Sequence, residues 1–184
     1  MTGHELENEI KLIQNEEIRN FITFCVSKLP EYFFHVPASS SGKYHPTYCL
    51  GEGGLLRHTK AAVYFAKELL FLESSPFTLD QKDTIIGALI LHDGWKKGLI
   101  ESSHTVSEHP VIASEQIKKL AIEKGLTSSK IDDISMLVLT HMGQWNRDAK
   151  TNQVLMPKPI SAAQRFVHLC DYLASRKKLE VQLV

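Results

Sequence analysis

Apolar residues along this chain recur at intervals of three and four, the rhythm of one helix face, and no stretch shows the alternation of a strand. Ile10, Ile13, Ile18, Phe21, Ile22, Cys25, Val26 and Leu29 keep that rhythm; Thr2 and Glu5 form a capping box before them and Pro30 ends the run. The pattern predicts one helix there. A second helix is expected from Leu55 to about Leu72, opened by Gly53-Gly54, and a third from the Thr78–Gln81 capping box to about Lys97. The fourth begins near a Thr105–Glu108 box and ends at Gly125; the fifth starts at Ser128 or Ser129 and stops at Met142-Gly143. After Pro157-Lys158-Pro159, Ser161 and Gln164 box the start of a last helix with Phe166, Val167, Cys170, Leu173 and Ala174 on its apolar side. Between the first two helices, Val36 to Pro46 is rich in turn formers and irregular, and loops this long are usually functional or disordered. The expected fold class is all-α, a compact bundle of about six helices forming a single domain over residues 1–184.

Composition narrows the function. With 43% hydrophobic and 23% charged residues in 184, the chain has the profile of a soluble globule with one core. Lys plus Arg and Asp plus Glu both number 21, so there is no basic excess of the kind that strong nucleic-acid binding requires. The longest apolar run, Ile85-Ile86-Gly87-Ala88-Leu89-Ile90-Leu91, is far short of the roughly 20 residues that span a bilayer. The opening Met1-Thr2-Gly3-His4-Glu5 carries acids early, so no secretory signal is expected. Cys25, Cys49 and Cys170, odd in number and widely spaced, read as reduced thiols of a cytoplasmic protein. The unusual feature is nine histidines.

Several fall where ligands would be wanted. His141 continues the stripe Ile134, Leu137, Val138, so its ring points inward, either as a hydrogen-bonded core residue or as a ligand. Asp171, four residues after Val167, lies on or near a buried side and needs a cation, whether Arg57, Arg176 or a metal. His92 and Asp93 are adjacent at a helix end, where the macrodipole also favours a histidine; side chains about 100° apart can still converge on one ion. His58 lies one turn into the second helix, and His109 in the first turn of the fourth, where simple surface exposure is the alternative. Together these are imidazoles and carboxylates on five helices, and bundles build metal sites from facing helices. The donor set suits Fe, Co, Mn, Ni or Zn, with aspartate able to bridge two ions.

The order His58, His92-Asp93, Asp171 resembles the H…HD…D signature of the HD superfamily of metal-dependent phosphohydrolases, over roughly Gly51 to Arg176. His109 and His141 resemble the extra histidines of its two-metal members. The resemblance implies one ion held by His58, His92, Asp93 and Asp171, and a second held by Asp93, His109 and His141. His92-Asp93-Gly94-Trp95-Lys96 is similar to the family's HDxGK-like turn but reverses the small and large residues of the common HDIGK, keeping the lysine. The implied cofactor is one or two divalent ions, Co, Mn, Fe, Ni or Mg. The implied chemistry is phosphate release, with Asp93 and Lys96 as catalytic residues: a two-metal site activates water and clamps phosphate oxygens, and Lys96 neutralises phosphoryl charge.

The stretch Pro37 to His58 is similar to small single-domain HD proteins, which points to a phosphorylated nucleoside as the small-molecule partner. Lys43, Tyr44 and His45 are candidates to close over phosphates or stack a base. Gln144 is positioned to read a base or sugar edge and Trp145 to stack or simply to pack. Two other functions fit the same ligands: a mixed-valence di-iron oxygenase of the HD type, and a non-catalytic nucleotide-binding module.

Overall fold

The computed structural model describes residues 4–148 and 150–179. Seven α-helices carry it: α1 (Glu7–Ile10), α2 (Glu16–Val26), α3 (Gly54–Leu70), α4 (Leu79–Leu91), α5 (His109–Glu123), α6 (Ser129–Thr140) and α7 (Ala162–Ala174), with short 3-10 turns between some of them. Among the described residues there is no strand, only an isolated bridge between Arg147 and Val154. The all-α expectation holds.

α4 is the axis of the bundle. Every residue from Asp83 to Leu91 is buried, the mark of a helix surrounded on all sides, and α1, α2, α3, α6 and α7 pack around it. The Thr78–Gln81 and Ser161–Gln164 capping boxes form as the sequence predicts, opening α4 and α7. Gly125, with φ +66°, closes the turn after α5.

Three expectations need correction. The helix expected to run unbroken to Pro30 is two helices, because Lys11 to Asn15 leave the helical path. Buried Asp83 of α4 accepts the Gln14 and Asn15 backbone N–H groups at 3.0 and 2.7 Å, and the Asn15 side chain caps α2 at the Ile18 N–H. Of the expected Thr2–Glu5 box, Thr2 lies outside the described residues. The third helix ends at Leu91, not Lys97: successive turns at Gly94, Lys96 and Gly98 replace it. Gly94 lets this turn pack closely, since a Cβ would stand 2.6 Å from the Leu29 side chain and 3.1 Å from the Leu91 carbonyl. Buried Tyr32 pins this turn, donating to the Gly98 carbonyl at 2.7 Å and accepting the Lys97 N–H at 3.2 Å. The Thr105–Glu108 box does not form either. The Thr105 N–H goes to the Ser40 hydroxyl and α5 opens at His109-Pro110, where proline suits the first turn.

No helix among the described residues is long and apolar enough to cross a membrane. Cys25, Cys49 and Cys170 are all buried and free.

Candidate metal centre

Five elements meet at one end of α4. α3 contributes His58, the turn after α4 contributes His92 and Asp93, α5 begins with His109, the turn after α6 contributes His141, and α7 contributes Asp171. The four imidazoles and Asp93 are at most 1% exposed, and Asp171 is mostly covered. All six residues singled out as metal ligands in the sequence therefore converge. For His109 the surface alternative is overturned: the chain turns back through Val106, whose N–H bonds to the Lys96 carbonyl, and carries the ring inside.

The cluster has two halves sharing Asp93. In one, His58 Nε2 and His92 Nε2 are 3.3 Å apart and each lies 3.5 Å from Asp93 Oδ2. Asp171 Oδ1 flanks this half, 3.0 Å from His58 Nε2 and 3.6 Å from His92 Nε2. In the other, His109 Nε2 and His141 Nε2 are also 3.3 Å apart, at 3.1 and 3.7 Å from Asp93 Oδ1. Each carboxylate oxygen thus serves one half.

The backbone decides which ring nitrogen faces inward. His92, His109 and His141 each aim Nδ1 at the carbonyl three residues earlier, Leu89, Val106 and Val138, at 2.7, 2.8 and 2.7 Å. A carbonyl only accepts, so Nδ1 carries the proton and Nε2 presents its lone pair to the cluster. His58 differs: its Nδ1 faces the Cys49 thiol at 4.0 Å.

Lone pairs of His109 and His141 point at Asp93 Oδ1, and that buried oxygen has no hydrogen-bond donor. Among the described residues, Lys96 is the one ammonium that pairs with Asp93, at Oδ2. A nitrogen pair 3.3 Å apart is what two ligands make when each is about 2.1 Å from one ion at an angle of roughly 100°. His58, His92 and Asp93 form one group able to hold a metal ion, and Asp93, His109 and His141 a second, with the ligand atoms of each within 4.8 Å of one another. Asp93 belongs to both groups, and the residues of each fit a divalent ion. Imidazole and carboxylate without thiolate leave the choice of metal open.

Electrostatics follow from the same crowding. Burial works against ionised Asp93, but Lys96 and His92 outweigh it and hold its carboxyl well below the usual carboxylate range. Asp171 is also driven down, burial being overcome by His58 and His92. Burial pushes His58 and His109 down, towards the neutral, ligating form. His92 goes the other way, because Asp93 and Asp171 prevail over its burial.

Beside the cluster a cavity of about 210 Å³ is lined by His45, Lys96, His109, Trp145, Asp171 and Arg176, among others. A larger one, about 690 Å³, shares His109 and Trp145 and adds Gln144. Of the residues expected to touch substrate, His45, Gln144 and Trp145 line these cavities. His45 packs edge-on to the His58 ring, 5.8 Å between centroids. Lys43 and Tyr44 are exposed and stand outside both linings, with Lys43 Nζ over the Tyr44 ring. Arg57, considered as a partner for Asp171, instead bonds the Tyr48 and Leu50 carbonyls.

Comparison with protein-family models, curated proteins and solved structures gave no match.

The sequence reading gave no site role to His168 or Tyr172, and weighed Arg176 only as an ion-pair partner for Asp171. His168 Nδ1 donates to the His141 carbonyl at 2.7 Å, and its ring lies so close under Gly143 that a Cβ there would meet it at 2.3 Å. All three lie within five residues of Asp171 on α7 or just beyond it, and that spacing was the available signal.

Proposed function

We propose that the protein is a metal-dependent phosphohydrolase of the HD type, releasing phosphate from phosphorylated nucleosides. The observation that carries this reading is the bisected cluster: one buried carboxylate with an oxygen turned to each of two histidine pairs, opening beside Lys96 into a cavity. His58, His92, Asp93 and Asp171 would hold one divalent ion, and Asp93, His109 and His141 the other. Such a pair supplies Lewis acidity towards phosphoryl oxygens and makes water a competent nucleophile near neutral pH, so no protein nucleophile is needed.

The chain's own groups do the rest. Asp93 sets the spacing of the two halves, and the carbonyl-tied imidazoles keep their lone pairs inward before anything binds. Lys96 pairs with Asp93 Oδ2 and lines the cavity, where its ammonium would neutralise charge on phosphoryl oxygens. His45, pushed down to about 4 by burial and by Lys96, stays neutral and offers a hydrogen bond from a ring whose Nδ1 has no partner.

The test is phosphate release from nucleoside mono-, di- and triphosphates with Mg, Mn, Co, Ni or Fe added singly. Turnover that requires a divalent ion and vanishes in His92→Ala, with helical content unchanged, is expected. Turnover in the metal-stripped protein, or in His92→Ala, overturns the reading. Dioxygen uptake on loading with iron would assign the cluster to oxygenase chemistry instead.

A further inference from the structure

The cavity beside the cluster has a second cation that the reading above leaves unused. Arg176 follows α7, its backbone N–H still bonded to the Leu173 carbonyl, and its guanidinium lies 4.3 Å from the Tyr172 ring, 5.3 Å from Trp145 and 5.8 Å from Tyr44. Trp145 and Tyr172 are themselves stacked, 5.8 Å apart and 10° from parallel. Three rings therefore hold one planar cation. Among the described residues no carboxylate pairs with it, and its buried Nε has no hydrogen-bond partner. Most buried polar atoms are satisfied, so an orphaned guanidinium N–H on a cavity wall marks a place where an acceptor is missing.

Geometry also says which part of the group is free. Rings take the faces of a guanidinium by cation–π contact, leaving the N–H edges, and those edges match the paired oxygens of a phosphate. Lys96 faces the same cavity from the turn after α4, beside Asp93, whereas Arg176 faces it from the residues after α7. Two cations from different elements thus face one cavity. Trp145 accordingly acts less as a platform for a base than as a holder for the arginine.

We infer that Arg176, held by Tyr44, Trp145 and Tyr172, is a subsite for a second phosphoryl group, so the site prefers substrates carrying more than the one phosphoryl presented to the metal cluster. This rests on the phosphohydrolase reading for the identity of the first subsite, but its test does not need turnover. Methylphosphonate and methylenediphosphonate, one and two phosphoryl groups that are not cleaved, are titrated calorimetrically into Mn-loaded protein. Wild type is expected to bind the diphosphonate at least tenfold more tightly. Arg176→Met is expected to lose that advantage while keeping its affinity for methylphosphonate, with Arg176→Lys recovering part of it. Chelation of Mn by the diphosphonate is common to all three proteins and cancels when each variant's ratio is compared with that of wild type. Equal binding of the two probes by wild type overturns the inference, whatever the variants do; so does an advantage retained in Arg176→Met. A protein that hydrolyses no nucleotide yet shows the Arg176-dependent preference loses the proposed activity and keeps this subsite.

Discussion

The two halves of the histidine cluster are built alike but compensated differently. Both present a pair of Nε2 atoms 3.3 Å apart to one oxygen of Asp93. The half containing His58 and His92 is supported by Asp171 and by the Lys96 ammonium, so it carries charge of both signs. The half containing His109 and His141 has neither, and its carboxylate oxygen is left without a donor. Burying an unpaired polar atom costs about 1–3 kcal/mol, so the second half is the less self-sufficient of the two.

Variants that break this comparison should do so in a graded way. Asp93→Asn removes the ligand common to both halves. Bound metal is expected to fall from two ions to none by elemental analysis, and turnover by about 10³-fold or more, the upper range for losing a major electrostatic contributor. Changing one half alone should separate them: His58→Ala and His141→Ala are each expected to retain one ion. Equal loss of both ions from either variant would show that the halves do not bind independently. Lys96→Met leaves all ligands in place, so two ions should remain while turnover falls about 100-fold, the scale of a single removed donor. The smallest effect lies away from the cluster, at Cys25 in α2, whose thiol burial pushes up to about 12. A folded-state value raised above the unfolded one contributes stability that is complete below about pH 8.5 and is lost as pH rises beyond it. Thiol reagent at pH 8 should accordingly leave Cys25 unmodified in native protein and label it in urea, as peptide mass mapping would report.

What the sequence revealed depended on whether its cause was local. His141 and Asp171 were legible because each extends an apolar helical stripe, His58 through its order before His92-Asp93 and Asp171, and the Thr78 and Ser161 boxes because both partners lie within four residues. The break between α1 and α2 was not legible, since Asp83, far away in the chain, captures the Gln14 and Asn15 N–H groups. Burial of His109 depends likewise on how residues 96–106 fold back, which no periodicity encodes. Arg176 was weighed only as an ion-pair partner for Asp171; its three aromatic neighbours come from a loop, a turn and the end of α7.

The carbonyl that orients His92, that of Leu89, belongs to the last turn of α4, where a helix necessarily runs out of its own N–H donors. The imidazole N–H fills that place, so helix termination and ring orientation are achieved by the same bond. The consequence is entropic: the ring surrenders its rotamer freedom when the chain folds, and a ligand arriving there would order little more. Substituting a residue that lets α4 continue by one turn would hand that carbonyl to the backbone and set the ring free, loosening the cluster without touching one of its side chains.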